Sequence, residues 1–297
     1  MAALLISARQ RSTFMTLSVN NLSYTYNKGL PTEFCALRNV SFDLSGGCVL
    51  SVLGHTGSGK STLAQHLNAL IIPQSGSVDA DGVSSAGGPD ARRSVRRKVG
   101  LVFQYPEQQI FADSVAEEIS FAPKNWGADE DEIKRNVAEA VKAVSISPEL
   151  LPVHPHHLSG GQKRKIAIAS VISAKPSYLV LDEPTAGLDC VSAREFEGLL
   201  AVLAGKGIGI IHITHDIDLA LRVSTNILIL EEGRGIFCGT PAECAEFLCS
   251  AEVKGLVLPE VLELAKRLRS HGIIDTLEWT PERLAERLKE KWQTRTR

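Results

Sequence analysis

A chain of 297 residues has room for one large α/β domain with an appendage, or for two domains. Hydrophobic residues make up 44% and charged residues 22%, the balance of a soluble globular protein, and 32 basic against 34 acidic side chains leave a net charge of −2. That charge argues against a general binder of nucleic acid or other polyanions.

No apolar run approaches the roughly 20 residues that span a bilayer. The opening Met1–Ala8 is apolar but short and has no basic residue before it, so no signal peptide is expected. The cysteines Cys35, Cys48, Cys190, Cys238, Cys244 and Cys249 show no C-x-x-C pairing and read as free structural thiols in a reducing, cytosolic compartment.

Residues 1–15 carry no clear periodicity and read as a lead-in. Alternation from Leu17 to Tyr26 predicts a strand closed by the turn Asn27-Lys28-Gly29, and a second strand runs from Ala36 to Leu44. Tyr26, beside the turn, offers a face on which adenine can stack; the plainer alternative is a core aromatic.

Next, Cys48–Leu53 reads as a buried strand and Ser61–Leu67 as a helix. Between them, Gly54-His55-Thr56-Gly57-Ser58-Gly59-Lys60-Ser61 fits G-x-x-x-x-G-K-[ST], the phosphate-cradling loop of P-loop nucleotide hydrolases. The glycines let backbone N–H groups turn inward as an anion nest, and the helix dipole that follows favours phosphate. Lys60 is placed to reach the β- and γ-phosphates and the Ser61 hydroxyl to ligate Mg²⁺, with Thr62 next in the helix.

A hairpin-like stretch over 77–82 precedes the basic cluster Arg92, Arg93, Arg96, Arg97 and Lys98, which reads as a solvated helix face because no aromatics are interleaved. The strand Val99–Phe103 ends at Gln104, whose amide can bond Mg²⁺-bound water. Acids at 129–132 open a helix with Ile133, Val137, Ala140, Val141 and Val144 on one face. His154, His156 and His157 follow in a proline-rich break, with no Cys or carboxylate at metal-ligand spacing, and read as surface residues.

Leu158-Ser159-Gly160-Gly161-Gln162 opens the next helix, with Ser159 as N-cap and two glycines that leave N–H groups bare, a second anion site. The apolar strand Tyr178–Leu181 carries Asp182 and Glu183 at its C-terminal tip, where open α/β sheets bind ligands. Asp182 fits the Mg²⁺-holding acid and Glu183 is placed to polarise a water. His215 ends the strand 208–213 on the same rim. Beyond the strands 226–231 and 235–238, apolar stripes Val261–Leu268 and Leu284–Trp292 predict a helical tail that either docks on its own core or pairs with another subunit.

In this order, these segments resemble the ATPase subunits of ABC transporters over residues 16–240. Tyr26 stands for that family's A-loop aromatic, Gly54–Ser61 for Walker A, Gln104 for the Q-loop, Leu158–Gln162 for the signature, Tyr178–Glu183 for Walker B, Asp189 for the D-loop and His215 for the H-loop. Gly54–Gly57, Val102–Phe111, Phe121–Gly127 and the tail are similar to the energy-coupling-factor subfamily, whose ATPases drive vitamin and transition-metal-ion importers. Departures are small: Lys165 where the family usually has Arg and Ser170 where Gly is common.

The resemblance implies an α/β fold with a RecA-like P-loop core, an N-terminal antiparallel β subdomain and a helical subdomain over about 105–174. Its expected domains are an ATPase over 16–244 and a dimerisation extension over 245–297. It also implies two subunits stacked head to tail around ATP and Mg²⁺, with Ser159, Gly160 and Gly161 acting in trans and Lys60, Ser61, Gln104 and Asp182 in cis. Glu183 is then the general base and His215 a γ-phosphate contact. The implied partners are a second ATPase subunit, identical or paralogous, a membrane-embedded coupling subunit and a specificity subunit, which would hold the chain peripherally at the cytoplasmic face of the membrane. DNA-repair or translation ATPases fit less well, lacking here the long coiled coil or second cassette, and a small-molecule kinase leaves Leu158–Gln162 unexplained.

Overall fold

The computed structural model describes residues 15–187 and 190–295. Asp189 and residues 1–14 of the lead-in lie outside the described residues. Strand β1 (Thr16–Tyr26) pairs antiparallel with β2 (Phe34–Ser45), turning Leu17, Val19 and Leu22 inward and setting Tyr26 opposite Phe34. The wholly buried β3 (Val49–Leu53) starts a second sheet and feeds helix α1 (Lys60–Leu67). Strands β4 (Ser75–Ala80) and β5 (Val83–Ser84) then complete the first sheet, in the order β2-β1-β4-β5.

Helix α2 (Pro89–Lys98) carries the basic cluster, with Arg93, Arg96 and Arg97 exposed as a solvated face requires. After β6 (Val99–Val102) come α3 (Val115–Asn125), α4 (Glu130–Ala143) and α5 (Gly160–Ile172), the helical region. Residues 115–125 fall in the helical subdomain expected over about 105–174, although no separate helix was read there, and Pro123 sits inside it. A proline there leaves the Ile119 carbonyl without its helical donor. The Ser173 hydroxyl donates to that carbonyl at 2.7 Å, so the neighbouring helix end supplies what α3 lacks.

The chain continues through β7 (Tyr178–Asp182), α6 (Cys190–Gly205), β8 (Gly209–Ile213), α7 (Ile217–Val223), β9 (Asn226–Glu231) and β10 (Arg234–Gly239). The second sheet runs β10-β9-β3-β8-β7-β6, parallel except for β10. Parallel strands covered on both faces are largely apolar, and every residue of β3, β7 and β8 is buried, with the polar Ser51 and His212 meeting each other at 3.2 Å.

Helices α8 (Pro241–Ser250), α9 (Glu260–Ser270) and α10 (Pro281–Arg295) follow. Leu262, Ala265, Ile274, Leu277 and Leu284 are buried in one cluster with Ile217, Leu221 and Ile227 of the core. The inner edge of the tail therefore docks on its own subunit. The expected boundary at 244/245 falls inside α8, where Cys244, Ala245 and Leu248 belong to the same cluster. The architecture is a RecA-like P-loop core with an N-terminal β subdomain, a helical region and a small C-terminal helical extension.

Candidate nucleotide-binding site

Because β3, β8, β7 and β6 are parallel neighbours, the loops after them emerge at one edge of the sheet. That edge collects the 54–59 loop, His215, Asp182 with Glu183, and Gln104. A cleft of about 200 Å³ there is lined by Thr56, Gly57, Gly59, Lys60, Ser61, Thr62, Gln104, Asp182 and Glu183, together with Phe34.

The loop's shape follows from two glycines. A side chain on Gly54 would run into the Leu230 carbonyl oxygen, and one on Gly59, at φ +105°, into the Ala36 carbonyl oxygen. The loop thus packs directly on the backbone of β9 and β2. Gly54 and Ser58 are buried behind it, and His55 lies half-buried at its side. The Lys60 ammonium donates to the Gly54 and His55 carbonyls at 2.6 and 3.0 Å. Burial lowers its pKa, against the opposing pull of the Glu183 and Asp182 carboxylates.

Asp182 is 4% exposed. Burial raises its pKa; the Ser61 hydroxyl and Lys60 pull it down again, while Glu183 pushes it up. Its Oδ1 is buried without a protein partner. A buried, unsatisfied carboxylate oxygen costs free energy unless something completes it. Magnesium prefers oxygen ligands and keeps several waters, so Asp182, Ser61 and Gln104 fit a Mg²⁺–phosphate site.

Glu183 adopts φ +49°, a left-handed conformation that is strained for a residue with a side chain. Its N–H donates to the Ile213 carbonyl at 2.9 Å, and its Oε2 lies 2.9 Å from His215 Nδ1. Glu183 and His215, 32 residues apart, are thereby joined at the rim.

The signature segment is built differently. Ser159 caps α5 in a full capping box with Gln162, as the sequence pattern implies. Ser159, Gly160 and Gly161 are exposed, Leu158 and Gln162 half-buried, and a side chain at either glycine would meet open space. None of Leu158–Gln162 lines the cleft. Arg164, one turn along α5, bonds the Ala186 carbonyl at 2.9 Å and lies 3.8 Å from Glu107, tying this helix to the segments after β7 and β6.

Tyr26 does not line the cleft either. Its hydroxyl lies 3.4 Å from that of Thr62, which does. The aromatic ring on the lining is Phe34, across the hairpin from Tyr26 and absent from the sequence candidates. The available signal was an aromatic at the far side of the turn that follows Tyr26. His154, His156 and His157 group near the signature, with His154 stacked on His156 at 5.1 Å, away from the cleft.

The ABC transporter family model matches residues 37–186. The chain is 40% identical over 260 residues to the energy-coupling factor transporter ATP-binding protein EcfA2 of Streptococcus thermophilus, covering 87% of this chain and 93% of that one. Among solved structures it resembles cbiO1 from Clostridium perfringens, part of the ABC transporter complex cbiONQ, at a TM-score of 0.71 and 34% identity over 86% of this chain and 94% of that one. It also resembles a dimeric post-hydrolysis state of the ATP-binding cassette MJ0796 bound to ADP and Pi, at a TM-score of 0.68 and 27% identity, over 76% and 98% of the two chains. With loop, carboxylates and signature all in place, the chain belongs to the energy-coupling factor family of ABC transporters as an ATP-binding, ATP-hydrolysing subunit.

Proposed function

We propose that this chain powers uptake of a vitamin or transition-metal ion by hydrolysing ATP between two ATPase subunits on the cytoplasmic face of a membrane, where a coupling subunit and a specificity subunit complete the importer. The observation that carries this reading is the separation of the two anion-binding elements. Walker A lines the cleft, while Ser159, Gly160 and Gly161 face solvent outside it. A second subunit stacked head to tail brings its own signature to the open side of the cleft. The bare N–H groups of Gly160 and Gly161 and the α5 dipole then meet the γ-phosphate.

In this reading Lys60 and the 54–62 backbone hold the phosphates, and Ser61, Asp182 and Gln104 hold Mg²⁺, which neutralises phosphate charge when bound. Glu183 accepts the proton of the attacking water. His215 orients Glu183 and contacts the γ-phosphate. Among the described residues no helix is long and apolar enough to cross a membrane, so attachment runs through partners. The exposed Leu264 and Trp292, on helices whose inner edges dock on the core, support a tail contact with the second ATPase subunit.

Affinity purification of the full-length chain from detergent-solubilised membranes tests this. Recovery with a multi-spanning membrane subunit and an ATPase partner is expected, together with ATP-dependent uptake in reconstituted vesicles. Recovery from the soluble fraction with no membrane subunit overturns it.

A further inference from the structure

Four residues around the Tyr26 end of β1 close a ring of contacts, of which Thr62 alone lines the cleft. The Tyr26 ring meets the edge of Tyr24 at a centroid distance of 4.8 Å and 83°. Tyr24 in turn meets His66 at 4.8 Å and 68°. His66 Nδ1 lies 2.7 Å from the Thr62 carbonyl oxygen, one helical turn back along α1. The Thr62 hydroxyl returns to the Tyr26 hydroxyl at 3.4 Å. Edge-on geometry at these separations is the favoured arrangement for ring quadrupoles.

His66 is fully buried, and its Nε2 has no partner. A carbonyl oxygen only accepts, so Nδ1 carries the proton and donates, leaving Nε2 bare. Burial lowers the His66 pKa, against the Thr62 carbonyl, which raises it, and the Nδ1 contact ties the ring to α1. A buried imidazole with one nitrogen unsatisfied costs free energy that a leucine would not. Its geometric effect is to lock Tyr24, and through it Tyr26, to the helix that starts at Lys60.

We propose that His66 and Tyr24 are positioning residues that hold the Tyr26 ring at a fixed distance from the phosphate loop and so set affinity for the adenine base. This deepens the nucleotide-site reading and rests on Tyr26 being the ring that meets the base. Neither residue lines the cleft. Both act through Tyr26.

The test compares ATP with inorganic tripolyphosphate on the full-length protein, using His66→Leu, Tyr24→Leu and Tyr24→Phe, each also combined with Tyr26→Ala. His66→Leu and Tyr24→Leu should each raise the Kd for ATP about three- to tenfold, the factor an edge-on ring contact is worth. Tripolyphosphate affinity and kcat should stay within about twofold, and Tyr24→Phe, which keeps the ring, should be silent. Neither leucine variant should weaken ATP binding further once Tyr26→Ala is present. Equal losses for ATP and tripolyphosphate would mean that α1 has loosened and would overturn the proposal. So would additive losses in the Tyr26→Ala background, or unchanged ATP affinity in both leucine variants. Tyr24→Leu, at a half-buried position, keeps the test valid should His66→Leu fail to fold. If Tyr26→Ala by itself leaves ATP affinity unchanged, the adenine assignment falls first and takes this proposal with it.

Discussion

His215 Nδ1 and Glu183 Oε2 stand 2.9 Å apart across the adjacent tips of β8 and β7, with His215 70% and Glu183 12% exposed at the side chain. The contact joins the carboxylate to the exposed imidazole at the edge of the cleft that Glu183 lines. Glu183→Gln should therefore retain ATP binding and lose hydrolysis by about 10²–10⁴-fold, the range for a general base. Equilibrium ATP binding alongside phosphate release measures both, and lost binding with unchanged turnover speaks against the assignment. Lys60→Ala should behave differently, because it removes a cationic phosphate contact and weakens binding itself. His215→Ala should lower kcat, because Glu183 loses this orienting contact.

Tyr26 and Phe34 face each other across the β1–β2 hairpin, and the ring on the cleft lining is that of Phe34. If the base stacks on Tyr26, Tyr26→Ala should cost about 1–3 kcal/mol of ATP binding. Tyr26→Phe should cost less than about 1 kcal/mol, since the Thr62 contact at 3.4 Å is long for a hydroxyl pair. Phe34→Ala discriminates between the two rings. A larger loss there than at Tyr26 places the base on the second strand.

Gly255, in the segment between α8 and α9, sits against the phosphate loop. A β-carbon at this position would stand 2.6 Å from that of His55, and its φ of +70° already disfavours a side chain. Gly255→Ala should cost about 1–3 kcal/mol of stability from backbone strain and overlap. Weaker ATP binding should accompany it, because the His55 carbonyl is one of the two that hold Lys60. Thermal melts and ATP titration check the two effects separately. A silent substitution would show that the 251–258 segment yields freely.

Deleting residues 245–297 removes Leu248, Leu262, Ile274 and Leu284 from a cluster that also contains Leu53, Ile217 and Ile227. Such a truncation should lower stability by several kcal/mol, since each large buried side chain contributes about 1.5–3 kcal/mol. It therefore confounds any test of assembly. Leu264→Glu and Trp292→Glu change residues that are 49% and 78% exposed, so the fold should survive them. Both should weaken the nucleotide-free ATPase pair in sedimentation if the tail joins subunits. An unchanged pair would confine the tail to its own core.

The elements that chemistry needs most are written locally. Eight consecutive residues encode the phosphate loop, because its shape depends on glycine backbone freedom and on the strand and helix flanking it. β7, apolar from Tyr178 to Leu181 and ending in Asp182 with Glu183 just beyond it, is legible for the same reason: a parallel strand buried on both faces can place charge only at its tip. The capping box at Ser159 is likewise a pattern of four residues. What joins distant parts of the chain was not legible. Phe34 reaches the cleft only through hairpin register, and Tyr24 meets His66 only once β1 packs on α1. Ser173 rescues the Pro123 helix from another element, and Gly255 reaches His55 across 200 residues of chain. The tail's apolar stripes showed that something covers them, but stripe periodicity is the same whether the covering surface is the same core or another subunit. Tertiary packing decided that the inner edge covers α7 and α8; Leu264 lies off the buried face of α9, and Trp292, about two turns beyond Leu284 along α10, is exposed where that helix runs past the cluster.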